Sequence, residues 1–311
     1  MLEVSIVIVC MNNLKNLYPC LESIKKYTTV SYECFVVAYL FSKENLDKVK
    51  RDFPWVKFIE SNEIRGFSEN NNLALRQAKG KYCFVLNDDT EMKMPVVDRL
   101  VESIESLPEN VAILSPNIVF PDGSPQCCGR PKRNFVSFCL SQFHINVEEH
   151  KKYTNKQGVF LTYNILGAAF LIKTSLFERI GFFDEVFFYC PEDIAVSTVL
   201  NRMGYKCFVD SNIKIIHYGG GTTWFKIMDA TEPAAMKGAL SFYSNGNTLK
   251  KIVVKLSIIL SSILYWLYYS MRRDKGNPLF YKVKARAKWH NIQCMFNNKS
   301  AKQTFIQYFK K

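Results

Sequence analysis

The sequence predicts an α/β protein: a mostly parallel sheet covered by helices, with an amphipathic helical extension at its C-terminal end. Three observations carry this. Apolar, β-branched runs alternate with helix-spaced segments through the first half of the chain. The run VSIVIVC (Val4–Cys10) is apolar along nearly its whole length, as a strand buried on both faces requires. The last sixty or so residues change character and become basic, aromatic and helix-patterned.

The elements follow in order. After VSIVIVC, LYPCLESIKKY has helical spacing. YECFVVAYL is a second strand, and SKENLDKVKRDF a second helix with Ser42 as its N-cap. VKFIES is a short third strand. NNNLALRQAKG reads as a helix stopped by Gly80. KYCFVLN is the fourth strand, and it runs directly into Asp88 and Asp89. Ligands of parallel, helix-covered sheets bind beyond the carboxyl ends of the strands, so these carboxylates fall where a site is expected.

Composition sets the partners. The chain has 311 residues, enough for one large domain plus an appendage, and is 48% hydrophobic and 22% charged, ordinary for a chain that buries a core. A net charge of +13 favours an anionic partner. The cysteines are scattered, with only Cys127 and Cys128 adjacent, and there are four histidines, which argues against a zinc framework. The N-terminal run has no basic region or cleavage site and is too short to span a bilayer. Reduced thiols in the cytoplasm are therefore expected.

Asn-Asp-Asp is good turn chemistry, and a solvated turn accounts for Asp88 and Asp89 as well as a divalent-cation site does. Glu192 and Asp193, after Pro191, suit the first turn of a helix. His217 precedes Gly219, Gly220 and Gly221, which allow close backbone approach to a diphosphate. Arg130, Lys132 and Arg133, in a Gly/Pro-rich stretch, suit either a phosphorylated acceptor or a solvated loop.

Taken in order, VSIVIVCMNN, GFSENNNLAL, GKYCFVLNDDTEM, GAAFLIKTSLFERIGFFDEVFFYCPED and GYKCFVDSNIKIIHYGGGTT resemble the family 2 glycosyltransferases of GT-A fold, especially the rhamnosyltransferase-like branch. The resemblance runs from about Val4 to about Trp224 and implies a catalytic domain over 1–245, with 246–311 as the extension. It implies an inverting transfer from a UDP- or dTDP-sugar to a lipid-linked or polysaccharide hydroxyl. It implies Asp89 and Asp88, with His217, as ligands of Mn²⁺ or Mg²⁺ on the donor diphosphate. Asn12, Gly66 and Asn72 lie in the matched stretches and are expected at the donor. Asp193 is implied as general base, with Glu192 positioning or replacing it. The chain departs from the family pattern at Ala38, Ala195 and Val199, where Asp, Asp and Arg are usual. An active enzyme with altered donor recognition is expected, the alternative being an inactive GT-A protein that serves as a membrane-bound assembly factor.

KKIVVKLSIILSSILYWLYYSMRR (Lys250–Arg273) approaches spanning length, but Lys251, Lys255, Ser262, Tyr265, Tyr269 and Arg272 recur at helical spacing and cations flank both ends. An in-plane helix on an anionic, cytoplasmic membrane surface fits this better than a span or a core helix. Cations concentrated beside an apolar helix favour lipid over nucleic acid.

Overall fold

A computed structural model describes residues 2–126, 129–145, 151–219, 222–273, 277 and 279–309. The elements in chain order are β1 (Val4–Cys10), α1 (Leu14–Tyr27), β2 (Tyr32–Tyr39), α2 (Lys43–Asp52), β3 (Lys57–Ser61), α3 (Phe67–Leu75), β4 (Tyr82–Asn87), β5 (Thr90–Met92), α4 (Val96–Ser106), β6 (Val111–Val119), β7 (Gly129–Arg130) and α5 (Phe135–Ser141). Then come α6 (Lys151–Thr154), β8 (Val159–Thr162), β9 (Asn164–Ile165), β10 (Ala169–Lys173), α7 (Thr174–Arg179), α8 (Glu192–Arg202), β11 (Lys206–His217), α9 (Thr222–Ser244), α10 (Thr248–Met271), α11 (Phe280–Cys294) and α12 (Ala301–Phe309). They form two compact units. The first holds Met1–Lys132, Glu148–Asp184 and Glu192–Gly219; the second holds Arg133–Val147, Glu185–Pro191 and Gly220–Lys311.

The first unit is built on one sheet of order β3-β2-β1-β4-β10-β6-β11-β5, with β8 also on β11. The half read as parallel from sequence is parallel throughout, β1 lying between β2 and β4. Antiparallel pairing enters with β10, which separates β4 from β6, and with β5 and β8, so the whole sheet is mixed. Both faces are covered, which explains the unbroken apolar run of β1. Its alternate side chains point to opposite faces. Ile6 and Ile8 pack with Leu17 and Leu21 of α1 and Leu100 of α4. Val7 packs with Leu75 of α3, Phe170 and Phe177.

Local signals behave as their chemistry dictates. Ser42 caps α2, its Oγ accepting from the Asn45 N–H at 3.3 Å. Gly80 does not stop a helix, because α3 ends at Leu75. Its N–H donates to Ser5 Oγ at 2.9 Å, and a Cβ there would lie 2.5 Å from the Ser5 nitrogen. The glycine is needed for the close passage of this link over β1.

In the second unit α9 packs against α10, α11 and α12. Met228 of α9 clusters with Val283 and Ala287 of α11, and His290 stacks on Tyr308 at 3.8 Å between ring centres. Helix α10 begins at an Asn247 cap. The side that carries the polar stripe is the one packed within this unit, at Ser262 and Tyr269. Ser257, Ser261 and Ser262 are buried with Val254 and Ile258, and Tyr269 stacks on Tyr281 of α11. Ser257 and Ser261 donate to the carbonyls of Val254 and Ile258 in their own helix, so their hydroxyls enter the packed face already hydrogen-bonded. The leucine face is the exposed one.

Candidate active site

The end of β4 delivers the first pair of acids, as the alternation of strands and helices requires. Asp88 lies against Cys10 at the end of β1, with a hydrogen bond between the two side chains. Burial pushes its carboxyl up to about 7; the Cys10 hydrogen bond opposes this, and the adjacent charge of Asp89 adds to it to a smaller extent. Asp89 turns to β11. Its Oδ1 is 3.2 Å from His217 Nε2, and its carbonyl accepts from the Tyr218 N–H.

A residue that no sequence signal marks holds this histidine. Gln126 Nε2 donates to the His217 carbonyl at 2.7 Å, and Gln126 Oε1 lies 2.9 Å from His217 Nδ1. An amide oxygen only accepts, so Nδ1 carries the proton. In the neutral ring Nε2 then carries the lone pair; Asn87 Nδ2 lies 3.4 Å from it as a donor, and the Asp89 carboxylate also faces it, an approach that a proton or a metal cation between them satisfies. Asp88 is against Cys10 rather than His217, and among the described residues no three His, Cys, Asp or Glu side chains converge as a ligand set. Gly219 has φ +58°, a conformation that favours glycine, while Gly220 and Gly221 lie outside the described residues, as do Cys127 and Cys128.

The second pair of acids opens α8, and both Glu192 and Asp193 are buried. Asp193 Oδ2 accepts from the Gly167 N–H at 3.2 Å and lies 3.6 Å from Arg130 Nη1; Oδ1 accepts from the Ile194 N–H at 2.7 Å. The next residue, Ala168, accepts from the Asn87 N–H at the end of β4. Two consecutive residues, Gly167 and Ala168, thus join the Asp193 carboxylate to the strand end that carries Asp88. A Cβ on Gly167 would stand 3.4 Å from that of Asp193, in ordinary van der Waals contact. Arg130 was expected with Lys132 and Arg133 on a phosphorylated acceptor or a solvated loop; it is instead the counter-charge of Asp193.

The remaining expected donor residues serve the scaffold. Asn72 is fully buried. Its amide donates to the Phe183 carbonyl at 2.9 Å and its oxygen accepts from the Phe183 N–H at 3.1 Å, so this side chain bridges α3 to a distant loop and is not presented to a ligand. Asn72→Leu strands two buried backbone groups at about 1–3 kcal/mol each. Urea unfolding is expected to show a loss of about 2–6 kcal/mol. Asn12 stands beyond the end of β1 with φ +49°, and its Oδ1 accepts from Ser42 N and Asn45 Nδ2, tying this loop to the start of α2. Gly66 caps α3, its N–H bound to Glu69 Oε2, at a φ of −77° open to any residue. Ala38, where an Asp was expected, is buried at the end of β2 opposite Cys10 and Glu60.

The pattern of the family described as "Glycosyl transferase family 2" matches residues 5–180, more than half of the chain. The chain belongs to glycosyl transferase family 2. The matched part runs from β1 through α7, so it includes β4 and its two acids. Among curated proteins, the O-antigen biosynthesis protein RfbC of Myxococcus xanthus is 27% identical over 156 residues, which is 48% of this chain and 12% of RfbC. This family 2 chain therefore matches only about an eighth of that relative's length. Among solved structures, the mannosyltransferase PcManGT of Pyrobaculum calidifontis, in complex with GDP-Man and Mn²⁺, has a TM-score of 0.52 at 14% identity, covering 96% of this chain and 88% of its own. GalNAc-T7, with UDP, GalNAc and Mn²⁺, has a TM-score of 0.56 at 16% identity, covering 96% of this chain and 56% of its own. At these identities the likeness is one of fold, and the fold is GT-A.

Proposed function

We propose that this protein transfers a sugar from a nucleoside-diphosphate donor to a hydroxyl of a glycan or lipid-linked acceptor, with inversion, at the cytoplasmic side of a membrane. The observation that carries the reading is the link from Asp193 through Gly167 and Ala168 to the end of β4. It sets one carboxylate beside a separate acidic strand end, which is the division of labour that inverting transfer needs. Asp193 takes the proton of the acceptor hydroxyl as it attacks the anomeric carbon. Arg130 and the Gly167 N–H hold that carboxylate in place, and Glu192 stands beside it.

The diphosphate belongs at Asp88, Asp89 and His217. Two carboxylates with substrate phosphates are a donor set that Mg²⁺ or Mn²⁺ accepts, and the lone pair of His217 Nε2 facing Asp89 fits a cation there. A bound divalent cation offsets the diphosphate charge and stabilises its departure. Gln126 fixes the tautomer of His217, so in the neutral ring Nε2 is the nitrogen that carries the lone pair. Support for a nucleotide sugar comes from the family and from the ligands named for the two structural neighbours. Support for a polysaccharide acceptor comes from RfbC. The donor we favour is a UDP-hexose or dTDP-rhamnose, in keeping with the rhamnosyltransferase-like resemblance.

The alanine at position 38 favours a second reading, a GT-A protein that has lost turnover and acts as an assembly factor. A thermal-shift screen of UDP-, dTDP- and GDP-sugars with and without Mn²⁺ separates them. A donor at a hundred times its Kd stabilises the folded state by about 2.7 kcal/mol. One base class is expected to raise Tm only with Mn²⁺ and to be consumed slowly. A donor that stabilises but is neither transferred nor hydrolysed identifies the assembly factor.

A further inference from the structure

We infer that the exposed face of α10 is a membrane-docking surface that lies flat on an anionic phospholipid bilayer, a property separate from the transfer reaction. Leu249, Ile252, Leu256, Leu260, Leu264 and Leu267, with Met271 at the end, are all solvent-exposed, Leu256 by 51%, Leu260 by 54% and Leu264 by 57%. At about 100° per residue they fall in one stripe about 120° wide along the whole helix. An uninterrupted apolar stripe of this length is not a solvated surface.

Three features select lipid as the occupant and the plane of the bilayer as the orientation. The first is the border of the stripe, where cations sit on aromatic rings. Lys255 lies over the exposed Phe296, and Arg272 over the exposed Tyr268. Trp266 meets the half-exposed Trp289. Aromatic and cationic side chains together are the chemistry of the headgroup layer. The second is charge. Lys250 and Lys251 stand at the start of the stripe, Arg272 and Arg273 follow it, and the chain as a whole carries +13. An anionic surface complements this at both ends of the helix at once, which a span does not allow.

The third is what packs behind α10. The helix is long and apolar enough to cross a bilayer. However, α11 runs alongside it, as the Tyr269–Tyr281 and Trp266–Trp289 ring pairs show. Helix α11 carries Lys282, Lys284, Arg286 and Lys288. Arg286 pairs with Asp229 of α9 at 2.5 Å, and Lys288 with Glu232 of α9 at 2.5 Å. A spanning α10 would carry these ions into hydrocarbon or lose its partners. Lying flat, it buries the leucines and keeps the ion pairs out of the hydrocarbon.

The test uses the full chain with phosphatidylcholine vesicles, with and without an equal amount of phosphatidylglycerol. Flotation is expected with the anionic vesicles, and binding at least about tenfold weaker to the neutral ones. Raising salt from about 0.1 M to about 1 M should remove most of that difference while leaving residual binding. The triple variant Leu256→Asp, Leu260→Asp, Leu264→Asp is expected to lose more than about a hundredfold in vesicle affinity. It should keep its donor-induced thermal shift, since the donor site is in the first unit. If it fails to fold, the Gln triple variant at the same exposed positions replaces it. A fluorescent amino acid at position 249, 260 or 271, quenched by lipids brominated at known depths, should report one shallow depth for all three. A deep position 260 between shallow ends would overturn the proposal in favour of a span. Lipid-free dimers broken by the triple variant, without vesicle binding, would overturn it in favour of a second copy.

Discussion

Asp193→Asn is expected to lower the rate of transfer by about 10²–10⁴-fold while leaving donor affinity within about twofold. The substitution keeps the shape of the side chain. Its amide oxygen still accepts from one of the two backbone N–H groups that hold the carboxylate, those of Gly167 and Ile194. What it removes is the capacity to take a proton. Arg130, 3.6 Å away, loses its counter-charge, so part of any change in stability is assigned to that pair. Single-turnover transfer at saturating donor measures the chemical step, and calorimetric titration of donor measures binding. Near-normal turnover would contradict the assignment and move the base to Glu192, its neighbour in the first turn of α8.

The second large effect is at the other end of the link. Asp89→Ala is expected to weaken donor binding in the presence of Mn²⁺ by at least about a hundredfold, close to 2.7 kcal/mol, and to bring it down to the metal-free value. Asp89 is the carboxylate at His217 Nε2, so its removal leaves that nitrogen with Asn87 Nδ2 at 3.4 Å and only the nearby charge of Asp88. Folding should persist, because Gln126 still holds His217 from the opposite side. The comparison is titration of wild type and variant with and without Mn²⁺, with Tm recorded alongside. An unchanged dependence on the cation in Asp89→Ala would contradict the placement of the diphosphate.

Much of the first half of the fold is legible in the sequence because its determinants are local. The β1 run, the Ser42 cap and the carboxyl-end position of Asp88 and Asp89 all follow from periodicity and turn chemistry within a few residues. The glutamine that orients His217 was not legible. Gln126 sits in a polar stretch 91 residues from its partner, and nothing in its neighbours marks it. Asn72 was misplaced for a related reason. Its placement rested only on its lying in a stretch that resembles the family, and only tertiary packing shows that this carboxamide binds Phe183. Arg130 is a third case, since a basic loop gives no sign that one of its cations is taken by Asp193. Helix α10 shows the limit of periodicity. The pattern fixes which residues share a face, but the partner helices decide which face is covered. Here they cover the serines.

The account rests on a nucleotide sugar lying across the carboxyl ends of β1 and β4, with its diphosphate at Asp89. The most direct test is the anomalous scattering of Mn²⁺ in crystals grown with the donor selected by thermal shift. The account predicts one strong peak beside the Asp89 carboxylate, with the diphosphate on the far side of the ion and the sugar facing Asp193. A Mn²⁺ peak away from Asp88 and Asp89, or a bound nucleotide that leaves both acids untouched, would contradict it.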